Sequence, residues 1–176
     1  MRDSRGITLV ELLVVVSIIG ILAVAMGFSF EGWMANYRIE STTKGLYADL
    51  MDARSKAMTR NRIYFVRLKL DAGEYKYSEY EDTDEDAKFN PGAGDNPTPE
   101  FINPKTIQYN LGWTGDIGFD TRGLAWEYTA SDTRNAASIT VPITLPGGAT
   151  PDYDCIVVSL LKIRTGRMSG GTCLEK

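Results

Sequence analysis

Residues Ile7 to Phe30 read ITLVELLVVVSIIGILAVAMGFSF, and this stretch decides how the rest of the chain is organised. Glu11 is its one ionisable side chain; Thr8, Ser17 and Ser29 are the only other polar groups. A helix of this length rises about 36 Å, enough to cross a hydrocarbon core about 30 Å thick. The preceding Met1-Arg2-Asp3-Ser4-Arg5-Gly6 is short and basic. Arginines on that flank keep it in the cytoplasm by the positive-inside rule, which carries everything after Phe30 across the membrane. The sequence therefore predicts an anchored extracytoplasmic domain.

Three kinds of segment fit this description. A secretory signal peptide has a shorter apolar run ending in a small-x-small site, and Ala23-Val24-Ala25 is such a site. An uncleaved signal anchor is the second. The third turns on Glu11, because a carboxylate within an apolar span is costly and implies a partner. Cleavage after Gly6 would place the new α-amine of Ile7 about one helical turn from Glu11. A neighbouring subunit's amine could then pair with this carboxylate where the dielectric is low and attraction strong.

Further along, Ile39, Thr43, Leu46, Leu50, Ala53 and Ala57 recur at alternating spacings of four and three. That is one face of an amphipathic helix, expected to lie against a sheet. Pro91 is the first proline, so nothing forces a break in a helix running from about residue 7 to residue 60. After Asn61 the period changes to two. Ile63–Leu70 and Tyr75–Tyr80 flank Asp71-Ala72-Gly73-Glu74 and predict a β-hairpin. Residues 81–105 begin acidic and continue through Pro91, Gly92, Gly94, Pro97, Pro99 and Pro104, the composition of a solvated loop. Strands are expected around Thr106–Tyr109, Asp116–Phe119, Leu124–Tyr128, Ala137–Leu145 and Asp154–Ile163, with a last short one at Arg167–Ser169. The fold class is α+β, a long N-terminal helix carrying an antiparallel β-rich domain. Its expected divisions are a leader (1–6), an apolar helix (7–30), its amphipathic continuation (31–61) and the globular domain (62–176).

Composition narrows function. The chain has no histidine, which removes imidazole bases, Ser-His and Cys-His nucleophile pairs and metal sites that need a ring nitrogen. Two cysteines are too few for a zinc cage. A formal net charge of −4 supplies no overall attraction for nucleic acid or anionic lipid. The composition argues against an enzyme, and no cofactor is expected.

Gly6-Ile7-Thr8-Leu9-Val10-Glu11, followed by the apolar run through Gly20-Ile21-Leu22-Ala23, resembles the class III signal of type IV prepilins and type II secretion pseudopilins. The resemblance implies that a prepilin peptidase cuts after Gly6 and methylates Ile7, and that Glu11 sets subunit register in a filament. Ile7 departs from the usual phenylalanine. Leu50–Asn61 leading into the strand at Ile63 resembles the H-type minor pseudopilins (GspH) and the related FimT minor pilins. So does an apolar strand at Val157-Val158-Ser159 followed by a Gly-Arg turn at Thr165-Gly166-Arg167. The absence of proline from the apolar helix separates this group from major pilins. The implied partners are other pseudopilins or pilins of the same filament, the prepilin peptidase and the inner membrane, with secreted cargo or the outer-membrane secretin at a filament tip. Type II secretion is the first implied role. A type IV pilus minor pilin serving adhesion, motility or DNA uptake is the alternative.

Four smaller features complete the reading. Cys155 and Cys173 would close a loop of about 19 residues in an oxidising compartment, where a disulfide contributes about 3 kcal/mol; two buried thiols are the alternative. Glu81–Asp86 alternates carboxylates, but a calcium loop starting at Asp82 needs glycine at 87 and glutamate at 93, and both are alanine. No metal site is therefore expected there. Some FimT-like proteins bind DNA through a Gly-Arg-x-Arg turn; here it reads Gly166-Arg167-Met168-Ser169, so Arg164 and Arg167 stand as a disfavoured DNA site. Trp33 and Tyr37 suit an interfacial belt. Trp113 and Trp126 are expected in the core.

Overall fold

The computed structural model describes residues 7–129, 134–135, 138–144 and 150–176, with residues 25–31 described by backbone alone. One helix, α1, runs without interruption from Leu9 to Arg60. Its 52 residues extend it by about 78 Å. Thr8 caps the start, its hydroxyl accepting a hydrogen bond from the Glu11 backbone N–H at 3.2 Å. Asn61 ends the helix in the left-handed conformation (φ 54°), with its N–H donated to the Ala57 carbonyl. Asparagine tolerates that conformation better than most side chains, so the stop is encoded locally.

The strands are β1 (Tyr64–Asp71), β2 (Glu74–Asp82), β3 (Asp95–Pro97), β4 (Lys105–Ile107), β5 (Asn110–Leu111) and β6 (Gly115–Phe119). They continue as β7 (Ala125–Tyr128), β8 (Arg134–Asn135), β9 (Ile139–Thr144), β10 (Cys155–Val158), β11 (Ile163–Ser169) and β12 (Thr172–Glu175). One sheet has the order β3-β2-β1-β6-β7-β8, with β4 also paired to β2; the other runs β12-β11-β10-β9-β5. All these pairings are antiparallel. The expected hairpin is present, with Ala72 (φ 51°) and Gly73 (φ 85°) forming the two-residue turn. Two consecutive positive φ angles match the right-handed twist of the flanking strands. The α+β reading holds.

The C-terminal half of α1 lies against both sheets. Ile39, Thr43, Leu46, Leu50, Ala53 and Ala57, the predicted stripe, are each no more than 1% exposed. They pack with Tyr64, Val66, Leu68, Ile117 and Phe119 of the first sheet and Val141, Ile156, Val158 and Ile163 of the second. Side chains alternate along a strand, so Phe65 points the other way. There it meets Phe89 and Trp126 in a second, outer cluster.

That outer cluster explains where the sequence reading of 81–105 departs from the structure. The segment carries β3, the start of β4 and a 3₁₀ turn at Pro99–Phe101. Phe89, Asp95, Thr98 and Phe101 are buried. Spaced prolines and glycines hid a segment that folds back on the sheet and covers Phe65. The expected strand Asp154–Ile163 is likewise two strands. Ser159 and Lys162 exchange backbone hydrogen bonds across Leu160-Leu161, so β10 ends at Val158. An unbroken apolar run carried no turn signal there; both leucines are exposed. Trp126 is buried as expected, whereas Trp113 is partly buried against the core. Residues 137 and 145 of the expected strand lie outside the described residues.

Charge also ties helix to sheet. Lys56 Nζ lies 2.9 Å from Glu79, 2.7 Å from Asp52 and 2.7 Å from Glu100. Glu79 is completely buried, and burial pushes its carboxyl above the usual range against the pull of Lys56. Removing one member of a buried pair leaves an uncompensated charge. Lys56→Met should therefore cost about 3 kcal/mol, read as a lowered melting temperature. Adding Glu79→Gln should recover part of that loss.

Candidate functional site

Among the described residues, nothing in the globular domain buries the N-terminal part of α1. From Ile7 to Val24, every large apolar side chain is exposed, from 49% at Val14 to 80% at Leu9. These side chains point in all directions around the helix. A helix apolar on every side is one that a membrane or other protein must surround, whereas the stripe beyond residue 38 is the pattern of a surface helix on a core. Among the described residues, no helix is long and apolar enough to cross a membrane. Trp33 and Tyr37 stand where the two regimes meet, both exposed and stacked with ring centroids 6.1 Å apart.

Glu11 sits in the first turn, inside the apolar surface. Its backbone N–H is held by Thr8, the Thr-x-x-Glu spacing of a capping pair, and a carboxylate in a first turn also faces the positive end of the helix dipole. Ile7 is 76% exposed and precedes the cap. The side chains of Ile7 and Glu11 are thus on the free part of the helix, available to another molecule. Gly6 lies outside the described residues.

The C-terminus is organised by a crosslink. Cys155 of β10 and Cys173 of β12 form a disulfide, with Cα atoms 6.1 Å apart. The strand between them is β11, so the bridge crosses over it. It does so at Gly166, whose register partners are Cys155 and Glu175. A side chain at 166 would press on the Leu174 backbone and come within 3.0 Å of the Cys173 sulfur. Glycine is there to let the bridge pass, and Thr165-Gly166-Arg167 is mid-strand. This corrects the expected Gly-Arg turn. The actual turn is Gly170-Gly171, both at positive φ (56° and 84°), between β11 and β12. The sequence signal for it was the glycine pair itself.

The two arginines of the disfavoured DNA site are not joined into a basic patch. Arg164 makes an ion pair with Glu175, while Lys176 pairs with Asp152 at 2.5 Å. Arg167 lies in the field of Asp152, whose carboxyl is held below its usual range by Lys176 first and by Arg167 and Lys44 further off.

Residues 1–27 match the family model for the prokaryotic N-terminal methylation motif. The chain carries a class III prepilin signal. Such a signal implies a membrane-anchored, pilin-like subunit, processed by prepilin peptidase and assembled with other pilins; it belongs to structural subunits rather than to a family of enzymes. Neither the curated proteins nor the solved structures contain a match to the chain.

The crosslink yields a specific expectation. Cys173→Ser should lower stability by about 3 kcal/mol, measured as a shift in the denaturation midpoint under non-reducing conditions. Gly166→Val should prevent bridge formation, leaving two thiols that maleimide labels once the non-reduced protein is denatured, whereas the unaltered protein takes none.

Proposed function

We propose that this chain is a minor pseudopilin of the H type, assembled through the N-terminal half of α1 into a type II secretion pseudopilus that supports protein export. In this reading residues 1–6 are a leader removed after Gly6, Ile7 becomes the methylated N-terminus, and residues 7–30 first span the inner membrane. Residues 62–176 then form a periplasmic domain, with 31–61 as the rigid connection. The observation that carries the proposal is the exposed, all-round apolar helix bearing Glu11, continuous with a helix locked onto a folded domain.

Assembly follows from the physical cost of that surface. Leaving lipid for a filament core exchanges acyl chains for neighbouring helices, so the apolar faces gain little by the exchange alone. Glu11 supplies the discrimination. A buried carboxylate is tolerated where a cation meets it, and a neighbour's N-terminal amine meets it in only one axial register. The globular domain, held by the long lever of α1, is then presented at the filament surface or tip to other pseudopilins, cargo or the secretin. The pairing of Arg164 with Glu175 and the strand conformation of Gly166-Arg167 favour secretion over DNA uptake within this group.

Glu11→Ala should leave cleavage after Gly6 intact and reduce incorporation into sheared filaments by tenfold or more, equivalent to ~1.4 kcal/mol. Immunoblots of the membrane and filament fractions measure both outcomes. Normal incorporation of this variant would contradict the role given to Glu11.

A further inference from the structure

In the first sheet, the loop that joins β2 to β3 gathers the carboxylates of Asp82, Asp84, Asp86 and Asp95. Asp82 closes β2 and Asp95 opens β3, and the two are directly paired across the ladder. Facing residues project from the same side of a sheet, where like charges repel. Both are buried, Asp82 to 2% and Asp95 to 0% exposure. Each uses one oxygen locally: Asp82 Oδ2 accepts the Ala87 N–H at 3.0 Å and Asp95 Oδ2 accepts the Asn90 N–H at 2.5 Å. The other oxygen of each, Oδ1, is buried without a hydrogen-bond partner, and so is Asn90 Oδ1. Asp84 and Asp86 complete the group, and carboxylate oxygens of Asp82, Asp84 and Asp86 lie within 4.8 Å of one another.

We propose that Asp82, Asp84 and Asp86, with the buried oxygens of Asp95 and Asn90, form a calcium site. A hard divalent cation of this size takes six to eight oxygens in an adaptable shell, and alternate aspartates on a tight loop bring three of them to one point. The objection raised by the sequence was Ala87, at the position where such loops require glycine. Ala87 nonetheless adopts the left-handed conformation that glycine would supply, at φ 61°. In place of the absent glutamate at 93, the loop has Asp95, the buried carboxylate that faces Asp82 across the ladder. Gly94 has no space for a side chain: a Cβ there would run into Asp84 Oδ2 and come within 2.8 Å of Asn90 Oδ1, so these two oxygens line one small hollow.

Charge points the same way. Among the described guanidinium groups, Arg67 is paired with Asp116 at 2.7 Å and only feels Asp95 electrostatically, Arg62 reaches Glu85 at 3.3 Å, and Arg134 donates to the Ala87 carbonyl at 3.4 Å rather than to the aspartates. Burial, with repulsion from Asp82, Asp84 and Asp86, pushes the Asp95 carboxyl up to about 6. Two facing buried carboxylates, each with an oxygen unsatisfied, carry a desolvation cost that a cation offsets. The ion would fix the loop whose far side carries Phe89, seated 4.9 Å from Phe65 and 5.2 Å from Tyr80 by ring centroid. Calcium thus closes the outer cluster of the first sheet.

The test is calcium titration of the full-length protein in detergent, by calorimetry and by thermal melting in calcium, magnesium or chelator. One calcium per chain is expected, with Kd of about 10⁻³ M or tighter and a melting temperature raised by calcium and not by magnesium. Asp84→Asn, at an exposed position, should fold normally and bind calcium at least tenfold more weakly. Asp95→Asn should melt above the unaltered protein in chelator and gain nothing from calcium. No heat and no melting shift with calcium in the folded protein would overturn the proposal, as would an Asp84→Asn protein that binds undiminished. An equal response to magnesium would overturn the assignment to calcium.

Discussion

Everything in this molecule depends on one hydrogen-bonded helix being continuous through two environments. From Leu12 to Arg60 each backbone N–H reaches the carbonyl four residues back, without a proline to interrupt it, and Thr8 takes the Glu11 N–H at the start. The backbone therefore needs no outside partner, whatever surrounds the side chains. Over the first part those side chains are apolar on all sides; over the second they form a single stripe, completely buried against two sheets. Only a helix can present both patterns along one rigid axis, because its backbone is satisfied in either setting.

The domain is built to hold that axis. Small residues, Ala53 and Ala57, allow close approach where the helix crosses the sheets, and both are wholly buried. Lys56 reaches from the helix to Glu79 on β2 and Glu100 on the 3₁₀ turn, joining three elements through one ammonium group. Asp49 does the same from two turns up, accepting hydrogen bonds from Tyr77 at 2.6 Å and Lys105 at 2.7 Å. The burial of Tyr77 and its bond to Asp49 push its hydroxyl well above its ordinary range, so it remains a donor at any physiological pH. At the other edge the disulfide ties β12 to β10 over Gly166. A helix anchored at several depths cannot rock against its domain.

Legibility in the sequence followed the range of the interaction. The helix, its stripe and the hairpin at Ala72-Gly73 are set by neighbours one to four residues apart, and spacing or turn chemistry exposes them. The disulfide was legible as a pair because only two cysteines exist. What failed was non-local. The 81–105 segment read as solvated because its buried residues, Phe89 and Phe101, are isolated among prolines and acids; their partners are on β1 and β2. The turn at Leu160-Leu161 was hidden because two exposed leucines look like core. Gly166 read as a turn residue, whereas its reason for being glycine is a sulfur and a backbone from other strands. The acidic loop was set aside on a motif rule, because sequence does not show that Ala87 accepts a glycine-like φ or that Asp95 arrives from across the ladder.

The central claim is that the apolar half of α1 is kept, cut at Gly6 and used as a membrane and filament element. Its most direct test is the intact mass of the protein extracted from the membranes of its native host. A chain beginning at Ile7 and heavier by one methyl group is the predicted species. A soluble chain beginning at Met26 would mean that cleavage followed Ala25, and the assembly account would be contradicted at its first step.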